Sequence, residues 1–369
     1  MISSTIHPSS ARAQLIRDAA VIVWDEAPMS NKAVLACLEE VCRCCTGNNA
    51  PFGNKIIILV GDWRQTCPVI PRGTKTQIID ASIKSSPLWP SFMVLGLTQL
   101  IRNADDLEFA NFVNAIGEGA GPEVDVNIMQ QIATREELIN FVFPEQVLHD
   151  PVQCLTRSIL APTNEQIDFY NGEILARLPG IGRLYLAADS IKECPEGDEN
   201  SNIIAPASLL DYVTRHRPIG IPPGNLLVKV GGVYRIMRNF SVDRGLVKNA
   251  RVVITDVGQR LISVRLLRPG MVPAGEEILL PRITFTSPLP SRHTLVRRQF
   301  PVAAAYACTF TGCQGLTCDR IGADLTRAVF SHGQLYTALS RIRRREDGAV
   351  LLLPGPTTVR NVTYLELLQ

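Results

Sequence analysis

Two short apolar runs near the start of the chain each end abruptly in acidic residues. Residues 19–24 (AAVIVW) are followed by Asp25-Glu26, and residues 56–60 are followed by Gly61-Asp62. Between these runs, residues 31–43 carry apolar side chains at helical spacing. This strand–helix–strand order predicts a parallel sheet, in which ligands bind beyond the carboxyl ends of the strands. The two acidic tips are therefore expected to face one site.

The middle of the chain shows two changes of pattern. Residues 107–116 and 136–142 suit helices, and residues 158–160 suit a short strand that leads into a turn at Pro162, Thr163 and Asn164. Residues 193–202 are acidic and rich in turn formers, as in a surface loop. From 226 to about 300, alternating segments separated by Gly, Pro and Asn predict a small antiparallel barrel. A helical region at 317–324, residues 333–341 and a strand at 349–353 then return to the α/β pattern.

The composition is that of a globular protein with several domains. The chain has 369 residues, of which 46% are hydrophobic and 20% charged, and single cores stop growing near about 250 to 300 residues. Because the net charge is only +2, any binding to nucleic acid must come from local basic patches. No apolar run approaches the about 18 to 20 residues that span a bilayer, and residues 1–14 contain no apolar signal core. We therefore expect an intracellular protein that is neither secreted nor embedded in a membrane.

The ten cysteines do not indicate a metal site or a disulfide framework. They are scattered, and the one cluster, at positions 37, 42, 44 and 45, lacks paired Cys-x-x-Cys spacing with partner histidines. Free or buried thiols are the better interpretation, which favours a reducing compartment such as the cytosol or the nucleus.

The acidic tips have the residue types that nucleotide hydrolysis requires. Phosphoryl transfer needs charge neutralisation and an aligned water more than covalent help. Asp25 would hold Mg²⁺, and Glu26 would orient and deprotonate the water. Gln65, at the tip of the second strand, could hydrogen-bond both a phosphate oxygen and that water. The alternative for each motif alone is structural: a solvated acidic turn at 25–26 and a tight turn at 61–65.

Two arginines and one loop complete the candidate chemistry. Arg102 (in LTQLIRN) and Arg341 (in QLYTALSR) are candidates for stabilising a transferring phosphoryl group, since guanidinium is always charged and bidentate. Residues 306–317 (YACTFTGCQGLT) combine hydroxyls, an amide and glycines that could donate hydrogen bonds to a phosphate or a DNA backbone. Taken alone, the arginines would be surface groups and the loop a plain glycine turn.

Taken in order, these motifs resemble the Pif-type (petite integration frequency) DNA helicases of superfamily 1B, and especially the versions carried by Helitron-like rolling-circle transposons. The matching segments are WDEAPM, GDWRQTCPVI, QLIRN, LAPTNEQIDFYN, IMRNFSVDRGLVKNARVVI, RRQFPVAAAYACTFTGCQGLT and FSHGQLYTALSR. The resemblance implies a 5′-to-3′ DNA helicase that uses ATP and Mg²⁺ on single-stranded and forked DNA. It further implies a nuclear monomer that serves DNA repair, recombination, telomere maintenance or rolling-circle transposition.

The resemblance also implies a fold and a set of site residues. The fold would be α/β, with two RecA-like P-loop NTPase domains, an incomplete one at 1–104 and one formed by 105–245 and 300–369, and a small SH3-like β-barrel inserted at 246–299. By motif, Asp25 matches the metal-binding acid, Glu26 the water-activating acid and Gln65 the phosphate sensor. Arg102 and Arg341 match the arginines that reach the γ-phosphate.

Other motif positions match the DNA-binding and coupling regions of the same helicases. Gln314, Gly315 and Thr317 match the loop that couples DNA to nucleotide, with Thr317 on the DNA side. The segment at Pro162, Thr163 and Asn164 matches a region that touches single-stranded DNA. Four basic residues are further candidates for phosphate contact, with a solvated charged face as the alternative: Arg235, Arg238, Arg297 and Arg298.

The sequence departs from the family pattern in two places. It contains no Gly-Lys dipeptide, so the loop that cradles the phosphates in these helicases is not found before the first acidic motif. In the coupling loop, Gly312 and Cys313 stand where relatives carry lysine and serine, and Leu316 stands where they carry glutamine. We therefore expect a helicase that is truncated at its N-terminus and inactive alone. The alternatives are a non-catalytic single-stranded DNA-binding remnant of a transposon helicase and a relic that does not fold stably.

Overall fold

The computed structural model describes residues 2–97, 101–192, 220–268, 276–289 and 293–369, and the acidic loop predicted at 193–202 lies outside them. The described residues form eight helices: α1 Ala11–Asp18, α2 Lys32–Thr46, α3 Lys75–Ala81, α4 Leu107–Glu118, α5 Arg135–Val142, α6 Glu145–Leu148, α7 Asn164–Arg177 and α8 Gln334–Leu339. They also form nineteen strands: β1 Val21–Trp24, β2 Ile56–Leu59, β3 Glu123–Asp125, β4 Gln130–Ile132, β5 Arg157–Ala161, β6 Arg183–Leu186, β7 Ala188–Lys192, β8 Asn225–Val228, β9 Val233–Ile236, β10 Arg251–Val257, β11 Leu261–Leu266, β12 Ile278–Pro281, β13 Ile283–Pro288, β14 Thr294–Gln299, β15 Val302–Ala304, β16 Ala307–Thr309, β17 Arg320–Asp324, β18 Gly348–Leu351 and β19 Thr358–Arg360. None of these helices is both long and apolar enough to cross a membrane.

The predicted strand–helix–strand unit is confirmed at the start of the chain. β1 and β2 pair in parallel, with Val21 opposite Ile56. Asn31 caps α2 by accepting a hydrogen bond from the backbone N–H of Ala33, and the helix ends at Gly47, whose φ of 68° suits glycine. One face of the strand pair packs on the apolar side of α2. Because the strands are parallel, their carboxyl ends lie at the same edge of the sheet.

A second parallel sheet, in the order β16-β5-β17-β18-β4, lies between two layers of helices. The helices α5 and α7 cover one face, and α4 and α8 cover the other. Its three central strands are almost fully buried, as expected for a parallel sheet that is covered on both sides. The predicted mixed α/β class is confirmed.

The helical region predicted at 317–324 is wrong. Its second half, Arg320–Asp324, is β17, the central strand of the second sheet. Gly322 allows α5 to approach this strand closely, because a Cβ there would lie 2.7 Å from Leu138 and 2.8 Å from Val142. Five residues with a glycine at their centre are too short a pattern to separate strand from helix. Pairing with parallel neighbours on both sides decided the structure.

The segment predicted as an antiparallel barrel contributes strands to three antiparallel sheets, β12-β11-β10-β9-β15, β13-β14-β7 and β6-β8. The predicted boundary at 245/246 falls inside the first sheet, because β9 precedes it and pairs with β10, which follows it. The antiparallel sheet β13-β14-β7 begins well before residue 226, since β7 pairs with β14. Hydrogen bonds between strands distant in sequence set these limits, and no local pattern marks them. We call these antiparallel sheets the antiparallel module. Its SH3-like classification stays a prediction.

One hydrophobic cluster runs through the antiparallel module and the second parallel sheet. Tyr306 stands at their junction, where its ring is buried and packs edge-on against Phe143. Its hydroxyl accepts a hydrogen bond from the backbone N–H of Val233 at 2.9 Å. Close packing of this kind transmits displacement, so the module is expected to move together with the second sheet.

Lys229 of the antiparallel module caps the C-terminal end of α7. Its side chain is buried, and its ammonium group donates hydrogen bonds to the carbonyl oxygens of Leu175 at 3.1 Å, Ala176 at 3.5 Å and Leu178. The last carbonyl groups of a helix have no partner within the helix, and a cation there also interacts favourably with the helix dipole. This contact is a second link between the module and the second sheet.

We expect Lys229→Met to lower the free energy of unfolding by roughly 2 to 3 kcal/mol, because several buried carbonyl groups lose a charged donor while the apolar stem is kept. Urea denaturation of the full chain, followed by circular dichroism, measures the change. The matched control is Lys248→Met, since Lys248 is exposed, and it should change the free energy by less than about 0.5 kcal/mol. Equal effects of the two substitutions would contradict the capping role.

Candidate active site

β1 ends in a tight turn that carries the carboxylates of Asp25 and Glu26. The Asp25 carboxylate accepts a hydrogen bond from the backbone N–H of Glu26 at 2.9 Å. Glu26 has left-handed backbone angles, φ 53° and ψ 35°, which residues other than glycine rarely adopt. Such a conformation costs on the order of 1 to 3 kcal/mol and is concentrated at functional sites. The turn leaves Asp25 exposed and Glu26 partly buried.

Glu26 lies among charges of both signs. Burial, and then the charge of Asp25, raises the pKa of the Glu26 carboxyl above its usual value, whereas Arg341 and Arg102 act in the opposite direction. The predicted water-activating acid and both predicted phosphate-binding arginines are therefore within electrostatic reach of one another. Asp62 adds a further negative charge, so the two acidic strand tips do lie together.

Arg341 is a buried cation that meets no carboxylate. Only 4% of it is exposed, and its guanidinium donates hydrogen bonds to the Thr337 carbonyl at 3.3 Å and the Ser340 hydroxyl at 3.2 Å. Across the described residues, no carboxylate lies within 4.0 Å of Arg341 or of Arg102. Arg102 donates to the Ser340 carbonyl at 3.0 Å; burial, and then the charge of Arg341, lowers the pKa of Arg102. Two neighbouring guanidinium groups without a counter-charge favour an anionic ligand such as phosphate.

Gln65 and Gln314 bring the tips of the two parallel sheets together. The amide nitrogen of Gln314 lies 3.5 Å from the amide oxygen of Gln65, at the outer limit of a hydrogen bond. The buried amide oxygen of Gln314 has no hydrogen-bond partner among the described residues. Beside it, Gly315 adopts a left-handed φ of 74° in an exposed turn. A hydrogen-bond donor in the cleft would satisfy this amide oxygen.

The carboxylate of Asp62 fastens the loop at 61–66 to the helices of the second sheet. It accepts hydrogen bonds from Arg64 Nε at 3.0 Å and from the Tyr336 hydroxyl at 2.6 Å. Arg64 also donates to Asn114 of α4 and lies over the Tyr336 ring. Burial alone would raise the pKa of Asp62, but the hydrogen bonds from Arg64 and Tyr336 outweigh it, and the pKa is lowered.

Arg64 and Tyr336 were not predicted from the sequence to be site residues. Both lie inside segments that were singled out, GDWRQ and QLYTALSR. No spacing rule relates residue 62 to residue 336, so only the fold shows that the acid has two partners. The signal that was available is the tyrosine itself, since a buried tyrosine hydroxyl usually has a hydrogen-bond partner.

His332 holds the same loop at its backbone. The histidine is buried, its Nε2 lies 2.9 Å from the Trp63 carbonyl oxygen, and its Nδ1 lies 2.8 Å from the backbone nitrogen of Tyr364. These partners assign the neutral tautomer with its proton on Nε2, which agrees with burial lowering the pKa of the imidazole. The loop at 61–66 is therefore held through its side chains and its main chain at once.

The residues predicted to touch DNA lie on the second sheet. Pro162, Thr163 and Asn164 follow the carboxyl end of β5, where Thr163 caps α7 by accepting a hydrogen bond from the backbone N–H of Gln166 at 3.4 Å. Thr317 is exposed in the loop before β17. Within the described ranges, none of the predicted DNA-binding residues shares a hydrogen bond with the acidic strand tips.

The four arginines that were candidates for phosphate contact have different environments. For Arg297 the prediction is wrong, because this residue is only 1% exposed and its guanidinium forms two hydrogen bonds with the Asp189 carboxylate at 2.7 and 2.8 Å. Asp189 neutralises the charge of Arg297 within the antiparallel module. Arg238 and Arg298 are exposed, and Arg235 is partly buried.

Asp25 is the residue that fits a magnesium ion. Its carboxylate is exposed at the end of β1, and proteins commonly hold Mg²⁺ by one or two carboxylates together with substrate phosphates and water. The part of the chain that the structure describes contains no group of three or more His, Cys, Asp or Glu side chains suited to a metal ion.

Comparison with known proteins finds similarity to DNA helicases over most of the chain. A family model described as PIF1-like helicase matches residues 1–127. The chain is 26% identical over 339 residues to the ATP-dependent DNA helicase PIF1 of Danio rerio, and 28% identical over 334 residues to that of Homo sapiens. Each match covers 89% of this chain and 46% of the relative. The chain thus spans about half the length of these curated relatives.

The fold is also similar to solved structures. Pif1 helicase from Candida albicans matches with a TM-score of 0.63 and 19% identity, over 96% of this chain and 77% of that one. Bacteroides Pif1 bound to single-stranded DNA matches with a TM-score of 0.63 and 20% identity, over 95% of this chain and 74% of that one. At these identities the likeness concerns the fold, and it confirms the predicted class with two RecA-like domains.

We expect Tyr336→Phe to destabilise the protein by about 1 to 2 kcal/mol at neutral pH, because the Asp62 carboxylate loses a buried donor and its pKa rises toward the ordinary value. A carboxylate with a lowered pKa stabilises the folded state at pH values above its unfolded pKa. That contribution is lost as the pH falls through the folded-state pKa. The difference between the two proteins should therefore be complete at neutral pH and shrink in acid.

Urea denaturation at several pH values measures this difference. Tyr364→Phe is the matched control, since the Tyr364 hydroxyl has no hydrogen bond within the described residues and its ring stays stacked on His332. A difference for Tyr336→Phe that stays constant from neutral to acidic pH would show that the Asp62 carboxylate is not the group affected.

Proposed function

We propose that the chain, which is similar to PIF1-like helicases, carries the nucleotide-hydrolysing core of an ATP-dependent DNA helicase. The observation that carries this proposal is the meeting of Glu26, Arg341 and Arg102 in one cleft. Among the residues that the structure describes, no carboxylate contacts either of the two cations directly. The triphosphate of ATP has the negative charge that such a cleft attracts.

Each site residue has a chemical task in this proposal. Arg341 and Arg102 stabilise the charge that develops on the γ-phosphate, and Arg341 is held in place for this by its contacts with α8. Glu26 orients the attacking water and accepts its proton, a task that its raised pKa favours. Gln65 hydrogen-bonds the water or a phosphate oxygen. Asp25 would hold Mg²⁺, which supplies charge neutralisation when it is bound.

In this proposal, the contact between Gln65 and Gln314 couples the nucleotide site to the DNA-binding loop. Gln314, Gly315 and Thr317 belong to one loop, of which Gln314 faces the cleft and Thr317 is exposed. DNA bound along this loop, and at 162–164, shifts Gln314 relative to the cleft, and nucleotide bound in the cleft shifts the loop in return. Such coupling is reciprocal by thermodynamic necessity.

The finer parts of the proposal rest on the family resemblance. They are 5′-to-3′ movement on single-stranded and forked DNA, action as a monomer in the nucleus, and a role in repair, recombination or the rolling-circle transposition of a Helitron-like element. The chemistry of the cleft is compatible with each of these settings and does not choose among them.

A second function, binding of single-stranded DNA without hydrolysis, is favoured by one observation. The chain contains no Gly-Lys dipeptide, and backbone amides next to such a lysine are what usually cradle the phosphates of ATP. Under this second function, these 369 residues bind single-stranded DNA and hydrolyse no ATP. Gly312 and Cys313, which replace a lysine and a serine of the family pattern, weaken the coupling loop in the same direction.

We expect Glu26→Gln to reduce ATP turnover stimulated by single-stranded DNA at least about 100-fold, because it removes the general base. The same substitution should raise the free energy of unfolding at neutral pH. A carboxyl whose pKa is raised in the folded state destabilises that state when it is ionised. The gain should stay below about 1 kcal/mol, because water screens this partly exposed group. Phosphate release and urea denaturation measure the two effects.

Glu40→Gln is the matched control, since Glu40 is exposed on α2, and it should change neither quantity. Turnover that survives in Glu26→Gln would overturn the proposed mechanism. A wild-type chain that binds labelled single-stranded DNA and shows no turnover at all would support the second function instead.

A further inference from the structure

Asn103 is the buried member of the stretch at 101–105, which also carries Arg102. The other four residues of this stretch are exposed, whereas only 9% of Asn103 is. Its amide nitrogen donates hydrogen bonds to the carbonyl oxygens of Ile342 at 2.6 Å and Arg343 at 2.8 Å. Buried hydrogen bonds of this kind are costly to break, because the groups involved have already been removed from water. Asn103 therefore anchors this stretch to the segment that follows α8.

The guanidinium groups of Arg102 and Arg341 meet at Ser340. Arg102 Nη1 donates to the Ser340 carbonyl oxygen at 3.0 Å, and Arg341 Nη2 donates to the Ser340 hydroxyl at 3.2 Å. Two cations that bind one residue lie close together, and like charges at short range repel, more strongly where burial reduces the screening by water. Burial, and then the charge of Arg341, lowers the pKa of Arg102, which agrees with this repulsion.

Two consecutive side chains hold the main chain on both sides of Arg341. Arg102 binds the carbonyl group of the residue before it, and Asn103 binds the carbonyl groups of the two residues after it. Of the two holding side chains, Asn103 is buried and neutral, whereas Arg102 is exposed and is repelled by Arg341. Without the bonds of Asn103, the stretch at 101–105 would relieve the repulsion by moving Arg102 away.

A neighbouring ion pair has a different task. The Asp106 carboxylate accepts three hydrogen bonds from Arg345, one from its main chain at 3.0 Å and two from its guanidinium at 3.0 and 2.7 Å. The same carboxylate caps α4 by accepting a hydrogen bond from the backbone N–H of Phe109 at 3.2 Å. This ion pair fixes the beginning of α4, four residues after Arg102, and leaves Asn103 as the anchor next to that arginine.

We propose that Asn103 is a positioning residue that holds Arg102 beside Arg341 against their mutual repulsion, so that both guanidinium groups meet the same anion. This inference rests on the proposed function and deepens it, since it names the residue that assembles the arginine pair. Cations that are already in place stabilise developing charge without reorganisation during the reaction. A phosphate group between the two guanidinium groups attracts both of them, so the arrangement that costs stability favours binding of the anion.

The first experiment uses no ligand. Arg102→Gln, Arg341→Gln and their combination are prepared in the wild-type chain and in Asn103→Ala, and the melting temperature of each protein is measured. In the wild-type background the combination should melt roughly 2 °C or more below the temperature that the sum of the two single shifts gives, because either substitution alone already removes the shared repulsion. In the Asn103→Ala background the two shifts should add, because the arginines are no longer held together.

The second experiment measures the affinity for inorganic tripolyphosphate by isothermal titration calorimetry. Asn103→Ala should weaken binding at least about 10-fold, the contribution of one hydrogen bond to a charged group. Arg102→Gln should weaken binding in the wild-type background and have no further effect in Asn103→Ala. The matched control is Asn140→Ala, since Asn140 is exposed on α5, and it should change neither the affinity nor the thermal coupling of the two arginines.

The inference is overturned if the shifts of Arg102→Gln and Arg341→Gln add in the wild-type chain, or if they depart from additivity equally in both backgrounds. A lower melting temperature for Asn103→Ala with unchanged coupling would assign it a purely structural role. If Asn103→Ala does not fold, Asn103→Ser keeps one donor, and full coupling in that variant would overturn the inference. Absence of tripolyphosphate binding in every protein would refute the proposed nucleotide site, whereas the experiment without ligand still decides the role of Asn103.

Discussion

The hydrogen bonds to the Asp62 carboxylate are the interaction on which the candidate site depends. The loop after β2 carries Gln65 and would be an ordinary surface turn if nothing held it against the second sheet. Tyr336 binds the Asp62 side chain of this loop, and His332 binds its main chain. Arg64, in the same loop, also binds the Asp62 carboxylate and reaches Asn114 of α4. Because Tyr336 and His332 are buried, their bonds are electrostatically stronger than they would be in water. The acid of one sheet and the arginines that face it therefore have one defined arrangement.

Positive charge without a counter-charge distinguishes the functional regions from the structural ones. Arg297 shows how the fold treats a structural arginine, since it is buried and fully engaged by Asp189. Arg341 in the cleft is also buried, yet it contacts no carboxylate among the residues that the structure describes. Leaving a buried charge unpaired lowers stability, and proteins tolerate this mainly where a ligand completes the pairing.

Continuity of the hydrophobic core decides which parts move together. The antiparallel module and the second parallel sheet share one cluster that includes Tyr306, and Lys229 ties the module to α7 as well. The first sheet has a separate cluster around α2. The chain after β2 meets the second part through the polar contacts of Asp62, Gln65 and His332 and through a small apolar cluster of Cys67, Ile78 and Leu367. Polar contacts and a small cluster can be exchanged at lower cost than an interlocked core, so movement between the two sheets costs less than movement within the shared core.

The sequence by itself determined the strand–helix–strand unit, the acids Asp25 and Glu26 at its edge, the antiparallel segment and the family, because apolar periodicity and motifs of a few residues are local properties. Tertiary structure alone decided that 320–324 is a strand, that the antiparallel module begins before residue 226, and that Arg297 is a structural ion pair. It also decided the partners of Asp62. Each of these depends on contacts between residues far apart in the chain, and a local pattern carries no information about which distant charge or strand will be its neighbour.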